Sequence, residues 1–322
     1  LGTDNGILVY NYRTDKYEQP DTDFPTDVRT MVLQGDTLWI GSLNGLYIYQ
    51  LKSRQLNHFD SKQTGLPHNT IYSIIHTKDN QIYIGTYNGL CRYVQASGKF
   101  ENILLPVNRG GSNLFVNSLL EDTTRQCIWI GMEGYLFQYN PTIGEMKAIE
   151  VFHNNSIKSL ALDGDENLLA GTDNGLYVYQ NDKEPLQHII HDSRNIQSLT
   201  NNIIWNIFSD QEHNIWLGTD YGISLSRYNS ALQFVPISQI TGTGDGNQFY
   251  SLFRDSKGFY WFGGTNGVIR FTHPAGNKHD AIWYRMGDKN HPLSHNRIRH
   301  IYEDREQQLW IATDGSINRY DY

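Results

Sequence analysis

The chain has 322 residues, with 26 Lys and Arg against 34 Asp and Glu, a formal charge of −8. No basic tract or stripe interrupts that balance, which argues against a bulk electrostatic grip on nucleic acid. Aromatics make up 13%, with 21 Tyr, 7 Trp and 29 Gly, a mix suited to short strands and tight turns, and no apolar run reaches the ~20 residues needed to cross a bilayer as a helix.

From the N-terminus, Leu1-Gly2-Thr3 opens in the middle of a pattern. The chain is therefore expected to be excised from something longer, and the lack of a signal peptide says nothing about the parent's address. Residues 1–10 form a beheaded copy of a phrase: aromatic, aliphatic, Gly, Thr, two residues, Gly, aliphatic, two residues, Tyr. An outer strand is expected around Tyr17. The phrase then appears whole as Trp39-Ile40-Gly41-Ser42-Leu43-Asn44-Gly45-Leu46, ending at Tyr49, and again from Tyr83 to Tyr93. Altered copies start at Trp129, Leu169, Trp216, Trp261 and Trp310. The first Gly, or Ala in the last copy, falls at 2, 41, 85, 131, 171, 218, 263 and 312. A period of about 45 residues built only of strands is the signature of a propeller blade.

Each repeat reads as four strands. In the second, residues 70–76 form the inner strand A, Asp79-Asn80 a turn, 81–86 strand B, Asn88-Gly89 a hairpin turn, 90–94 strand C and 99–104 the outer strand D. Strand A is expected near 28, 70, 116, 157, 203, 249 and 298, and strand D near 17, 56, 100, 146, 187, 233 and 282. The last repeat lacks a strand D, and the N-terminal segment brings one without a strand A. Joining them would complete a seventh blade and remove two exposed edges. Both ends also bring a strand C, at 7–10 and 317–320, so one is surplus. The expected fold is an all-β, seven-bladed β-propeller of four-stranded antiparallel blades, closed by N- and C-terminal strands. Residues 1–22 complete the last blade, and the repeats fall at about 23–60, 61–104, 105–150, 151–190, 191–236, 237–285 and 286–322.

The recurring residue types have physical reasons. The strand-B tryptophans can wedge between neighbouring sheets. The motif glycine lets a sheet approach its neighbour closely. Asn69, Asn155, Asn202, Asn247 and Asn296 precede strand A and are expected to bond their own backbone, while Asp122, Asp163, Asp210, Asp255 and Asp304 end it in the same way. Cys91 and Cys127 sit in different repeats and fit neither a disulfide framework nor a zinc cluster. They read as packing residues, with a reactive thiol or a bridge as the alternative.

The phrase Leu-Trp-Ile-Gly-Thr-x-x-Gly-Leu-x-x-Tyr, preceded by Asn-x-Ile-x-x-Ile-x-x-Asp, resembles the two-component regulator propeller repeat. The fifth repeat carries it through Asn202, Ile204, Ile207, Asp210, Ile215-Trp216-Leu217-Gly218-Thr219 and Gly222-Ile223. The resemblance spans essentially the whole chain. It implies the periplasmic sensor region of a hybrid two-component system of the kind found in glycan-degrading Bacteroidetes. In such proteins two propellers stand in tandem before a β-sandwich, a membrane helix and a histidine kinase, and pair into homodimers. The implied function is to detect oligosaccharides released from glycans and to control the genes that use them. The kinase, membrane and sandwich parts lie outside these residues. Departures from the phrase, such as Gly134 and Gly315 one place early, Leu169 in place of an aromatic, and Ala312 for Gly, put local turns in doubt and not the fold.

In a propeller the D–A and B–C loops share one face. A sugar or uronate site wants aromatic faces for stacking and Arg or Asn to bond hydroxyls and carboxylates. Arg109, Asn113, Arg194 and Arg297, with Tyr87, Trp205 and Tyr221, are the candidates there; each also reads as an ordinary solvated loop residue. No catalytic residue, metal or cofactor is expected. Residues 241–246 look like a phosphate loop but lack the following helix and Lys. Pro292 between His291 and His295 denies them a helix. Two alternatives stay open. One is a lyase, since seven-bladed streptogramin lyases have a similar blade phrase with a His/Glu metal centre, which His153, His295 or His300 with Glu133 could mimic. The other is a scaffold whose faces bind another protein.

Overall fold

The computed structural model describes the chain except residues 1, 4–5, 12–15, 19–23, 63, 108–113, 150–154, 182–185, 194, 196, 229–234, 237–247 and 273–280. Every element among the described residues is a β-strand or a turn. Apart from two short hairpins near the N-terminus, the described strands fall into seven blade sheets, each opened by a strand A, and the fold is an all-β, seven-bladed β-propeller. In blades 1–6 strands A, B, C and D pair in chain order, always antiparallel, and blade 7 shows A, B and C. Strand A spans Val28–Gln34, Ile71–His76, Val116–Asp122, Ile157–Leu162, Ile204–Ser209, Phe249–Arg254 and Ile298–Glu303 in blades 1 to 7.

The chain divides into two compact units, Leu1–Asn154 and Asn155–Tyr322. The first holds an N-terminal segment and blades 1–3. In that segment Gly2–Thr3 pairs with Gly6–Ile7, and Val9–Asn11 pairs with Lys16–Glu18. The strand D expected near Tyr17 therefore forms and takes the strand C of its own segment as partner. The second unit holds blades 4–7.

Within each unit one rule packs blade on blade. The strand-B aromatic of one blade lies against strands A and B of the next. Trp39 packs on Ile71, Ile74, Ile82 and Ile84; Trp216 on Phe249, Leu252, Tyr260 and Phe262; and Trp261 on Ile298, Ile301, Leu309 and Ile311. Trp129, Trp216 and Trp261 are fully buried, and each such ring removes roughly 150–250 Å² from water. Blade 4 keeps the position apolar with Leu169, packed on Ile204, Ile207 and Leu217. The motif glycine makes this spacing possible. A Cβ on Gly218 would stand 2.6 Å from the carbonyl oxygen of Phe249 in the next strand A.

The indole N–H groups are satisfied by the aspartates at the end of strand A. Asp122, Asp210, Asp255 and Asp304 accept from Trp129, Trp216, Trp261 and Trp310 at 3.0, 2.9, 2.7 and 2.9 Å. Their other oxygen takes an amide of the A–B turn. Where blade 4 has Leu169, Asp163 turns to the Asn167 carboxamide at 2.9 Å. In blade 1 Gln34 replaces the aspartate and accepts from Trp39 at 3.0 Å. The aspartates thus do more than end a strand.

The asparagines before strand A depart from expectation. Among the described residues they do not bond their own backbone. Asn69, Asn202 and Asn296 accept from the amides of Ser61, His191 and Met286 at 2.7, 2.6 and 2.7 Å. Each of those amides lies two residues beyond strand D, where the ladder no longer supplies an acceptor. The side chain staples the base of the D–A loop. Asn155 instead donates to the Tyr177 hydroxyl at 2.7 Å, and Asn247 lies outside the described residues.

Candidate functional site

In all seven blades the register between strands A and B slips by one residue beside the B–C turn. The second residue of strand A has no partner on strand B. Such a bulge kinks the strand and re-aims the unpaired side chain. The seven residues placed this way are Arg29, Tyr72, Asn117, Lys158, Trp205, Tyr250 and Arg299. In five of the blades the turn next to them is held by the motif Ser or Thr. Thr86 donates to the Gly89 carbonyl at 2.9 Å and accepts from the Asn88 amide at 3.1 Å, and Ser42, Thr172, Thr219 and Thr313 make the same clasp. Gly89 takes the positive φ of 120° that the hairpin was expected to need.

In the first unit the bulge residue Tyr72 lies beside the turn residue Tyr87. Phe115 joins them, with ring centroids 4.1 Å from Tyr87 and 6.3 Å from Tyr72. The His68 ring also packs against Tyr87, with centroids 4.9 Å apart. Burial raises the Tyr72 phenol above its ordinary value, and the positive charge of Arg29 partly opposes the rise.

In the second unit the bulge residues form a contiguous row. The Lys158 ammonium sits 4.4 Å above the Trp205 ring. Trp205 meets Tyr250 edge to face at 6.1 Å, and the Arg297 guanidinium lies 5.8 Å from the Tyr250 ring. The Trp205 indole donates to Asp220, and Arg299 pairs with Asp314. Both acids are the turn residue directly after the clasping threonine. The Tyr250 hydroxyl donates to the Gln248 side chain at 2.5 Å. The row offers two adjoining aromatic rings at a steep angle to each other with a cation over each, a set that suits packing the apolar face of a pyranose against a ring and bonding its polar groups.

Of the sequence candidates, the structure brings Trp205 and Arg297 together through Tyr250. Tyr87 belongs to the other unit's aromatic group. Tyr221 stands at the tip of the blade 5 turn, 59% exposed, and donates its amide to Thr219. Arg109, Asn113 and Arg194 lie outside the described residues, as does His153. Residues missed by sequence reasoning are Arg29, Tyr72, Asn117, Lys158, Tyr250 and Arg299. A signal was present: Asn69, Asn155, Asn202, Asn247 and Asn296 each stand three places before a bulge residue. Among the described residues no three His, Cys, Asp or Glu side chains gather in a way that could hold a metal ion. Cys91 and Cys127 are free thiols buried in the packing.

Comparison with known proteins follows the geometry. The profile described as two component regulator propeller matches residues 65–88, 198–221, 243–266 and 292–315. A solved structure from B. thetaiotaomicron, described as the extracellular domain of a hybrid two component system, is 83% identical with a TM-score of 0.67, over 100% of this chain and 43% of that one. A histidine kinase of Formosa agariphila is 24% identical over 310 residues, 84% of this chain and 21% of that protein. The chain thus spans less than half of these relatives. A streptogramin B lyase structure shares the fold alone, at 14% identity and a TM-score of 0.64 over 94% of this chain and 97% of that one.

Proposed function

Since the chain belongs to the two component regulator propeller family, we propose that it is the periplasmic sensor region of a hybrid two-component protein, anchored in the membrane and coupled to a histidine kinase, that detects oligosaccharides released from glycans and controls the genes for their use. The observation that carries the ligand reading is the bulge row. Its side chains are aromatic, cationic or amide, and Trp205 and Tyr250 meet edge to face in one unit. Binding and not turnover is the role assigned to it. A second propeller of the same parent chain and a homodimer partner fit the same reading, since a binding event must reach the kinase through a change in how extracellular parts pack.

The test is a set of thermal melts against a broad panel of oligosaccharides. A ligand for the native state raises the melting temperature with its concentration. At least one panel member should produce such a shift, and Trp205→Ala should abolish it. No shift with any saccharide, in protein carrying both propellers, would sink the reading.

A further inference from the structure

The composition of the bulge row carries a statement about the charge of the ligand, one that rests on the sensor reading above. The seven positions hold three cations, three aromatics and one amide, Arg29, Lys158 and Arg299 among them, with no carboxylate. The chain as a whole has 34 acidic residues against 26 basic ones, so its average composition would not put this bias there.

The second unit shows which charges are already answered. Arg299 is paired with Asp314, and Asp220 holds the Trp205 indole. Lys158 and Arg297 differ. Their charged ends lie over the rings of Trp205 and Tyr250, and their described side-chain contacts are to those rings and not to carboxylates. A saccharide packed against these rings would strip water from both cations. A neutral sugar leaves that desolvation uncompensated, whereas an anionic group on the sugar repays it. We infer that the row Lys158–Trp205–Tyr250–Arg297 binds a saccharide bearing a carboxylate or sulfate, with the rings taking the sugar face and the two cations the anionic groups.

Isothermal titration of the full 322-residue chain tests this with matched probes. Tetragalacturonate is compared with galactotetraose, and 6-sulfated N-acetyllactosamine with N-acetyllactosamine. At least one anionic probe should bind about tenfold or more tighter than its less charged counterpart at ~50 mM salt, and the margin should narrow at ~500 mM as screening shortens. Replacing both cations, Lys158→Gln with Arg297→Gln, should erase the margin and leave any weaker binding of the counterpart intact. Trp205→Ala should weaken both. Unchanged melting temperatures confirm that the variants are folded. If neutral probes bind as well as or better than charged ones, or if the margin survives the double substitution, the inference falls while the sensor reading stands. If no probe of either kind binds, the inference falls, and the sensor reading rests on the melts of protein carrying both propellers.

Discussion

The Tyr260 hydroxyl of blade 6 reaches back to the Asp210 carboxylate of blade 5 at 3.1 Å. It shares there the same oxygen that accepts the Trp216 indole at 2.9 Å. One buried carboxylate thus ties a strand end, a wedge ring and the adjoining blade.

Removal of that carboxylate leaves four buried donors, the Trp216 indole, the Tyr260 hydroxyl and the amide and carboxamide of Asn214, with weaker or no acceptors. Asp210→Ala is expected to cost about 2–4 kcal/mol and Tyr260→Phe about 1 kcal/mol. Because both changes act on one oxygen, the double variant should lose less than the sum. Urea unfolding of the four proteins measures the cycle, and strict additivity would contradict the shared bond.

The close approach of blades predicts a second effect. Gly218→Ala forces a Cβ against the Phe249 carbonyl oxygen, a main-chain atom that cannot rotate aside. The expected loss is about 1–3 kcal/mol. A denaturation midpoint equal to that of the parent would show that blades 5 and 6 are less tightly seated.

Asp122 gives a pH dependence. Burial raises its carboxyl, but the Arg125 amide, the Trp129 indole and the Arg125 guanidinium together hold it below the ordinary carboxylate range. A folded-state value below the unfolded one means the group stabilises above ~4 and loses that contribution as pH falls through the folded value. Asp122→Asn should therefore be less stable than the parent at neutral pH, with the gap closing towards pH ~2. Urea melts across that range check the sign; a gap that widened in acid would reverse it.

The two cysteines should be inert in the native protein. Burial pushes the Cys127 thiol up to about 11 and Cys91 higher still, and only the thiolate attacks a thiol reagent. Ellman's reagent should find no fast thiol in buffer and two after unfolding in guanidinium. A rapid native reaction would place one of them in contact with solvent.

Strand order and turn chemistry were legible because each repeat states them again. Ile82–Thr86 and Gly89–Val94 form within a residue of their expected bounds, since alternation and Asn-Gly turns are local properties of the chain. The site was less legible. A bulge is an event between two strands, so nothing in the alternation of strand A alone sets Tyr250 or Lys158 apart from their neighbours. Trp205 was found because it is large, and Arg297 because it is charged and in a loop. The role of Asn202 was misread for a related reason: its acceptor bond spans eleven residues to His191, beyond the reach of a rule about neighbouring backbone.

The hydroxyl clasp at five of the B–C turns has a consequence for how such a molecule can change. Because Thr86 or Thr219 already satisfies the hairpin from beneath, the tip residues Tyr87, Asp220 and Tyr221 owe nothing to the turn through their side chains. Those tips, and the kinked positions beside them, can be rewritten one blade at a time without renegotiating the scaffold. A single architecture can in this way be retuned from one ligand to another by a handful of exchanges.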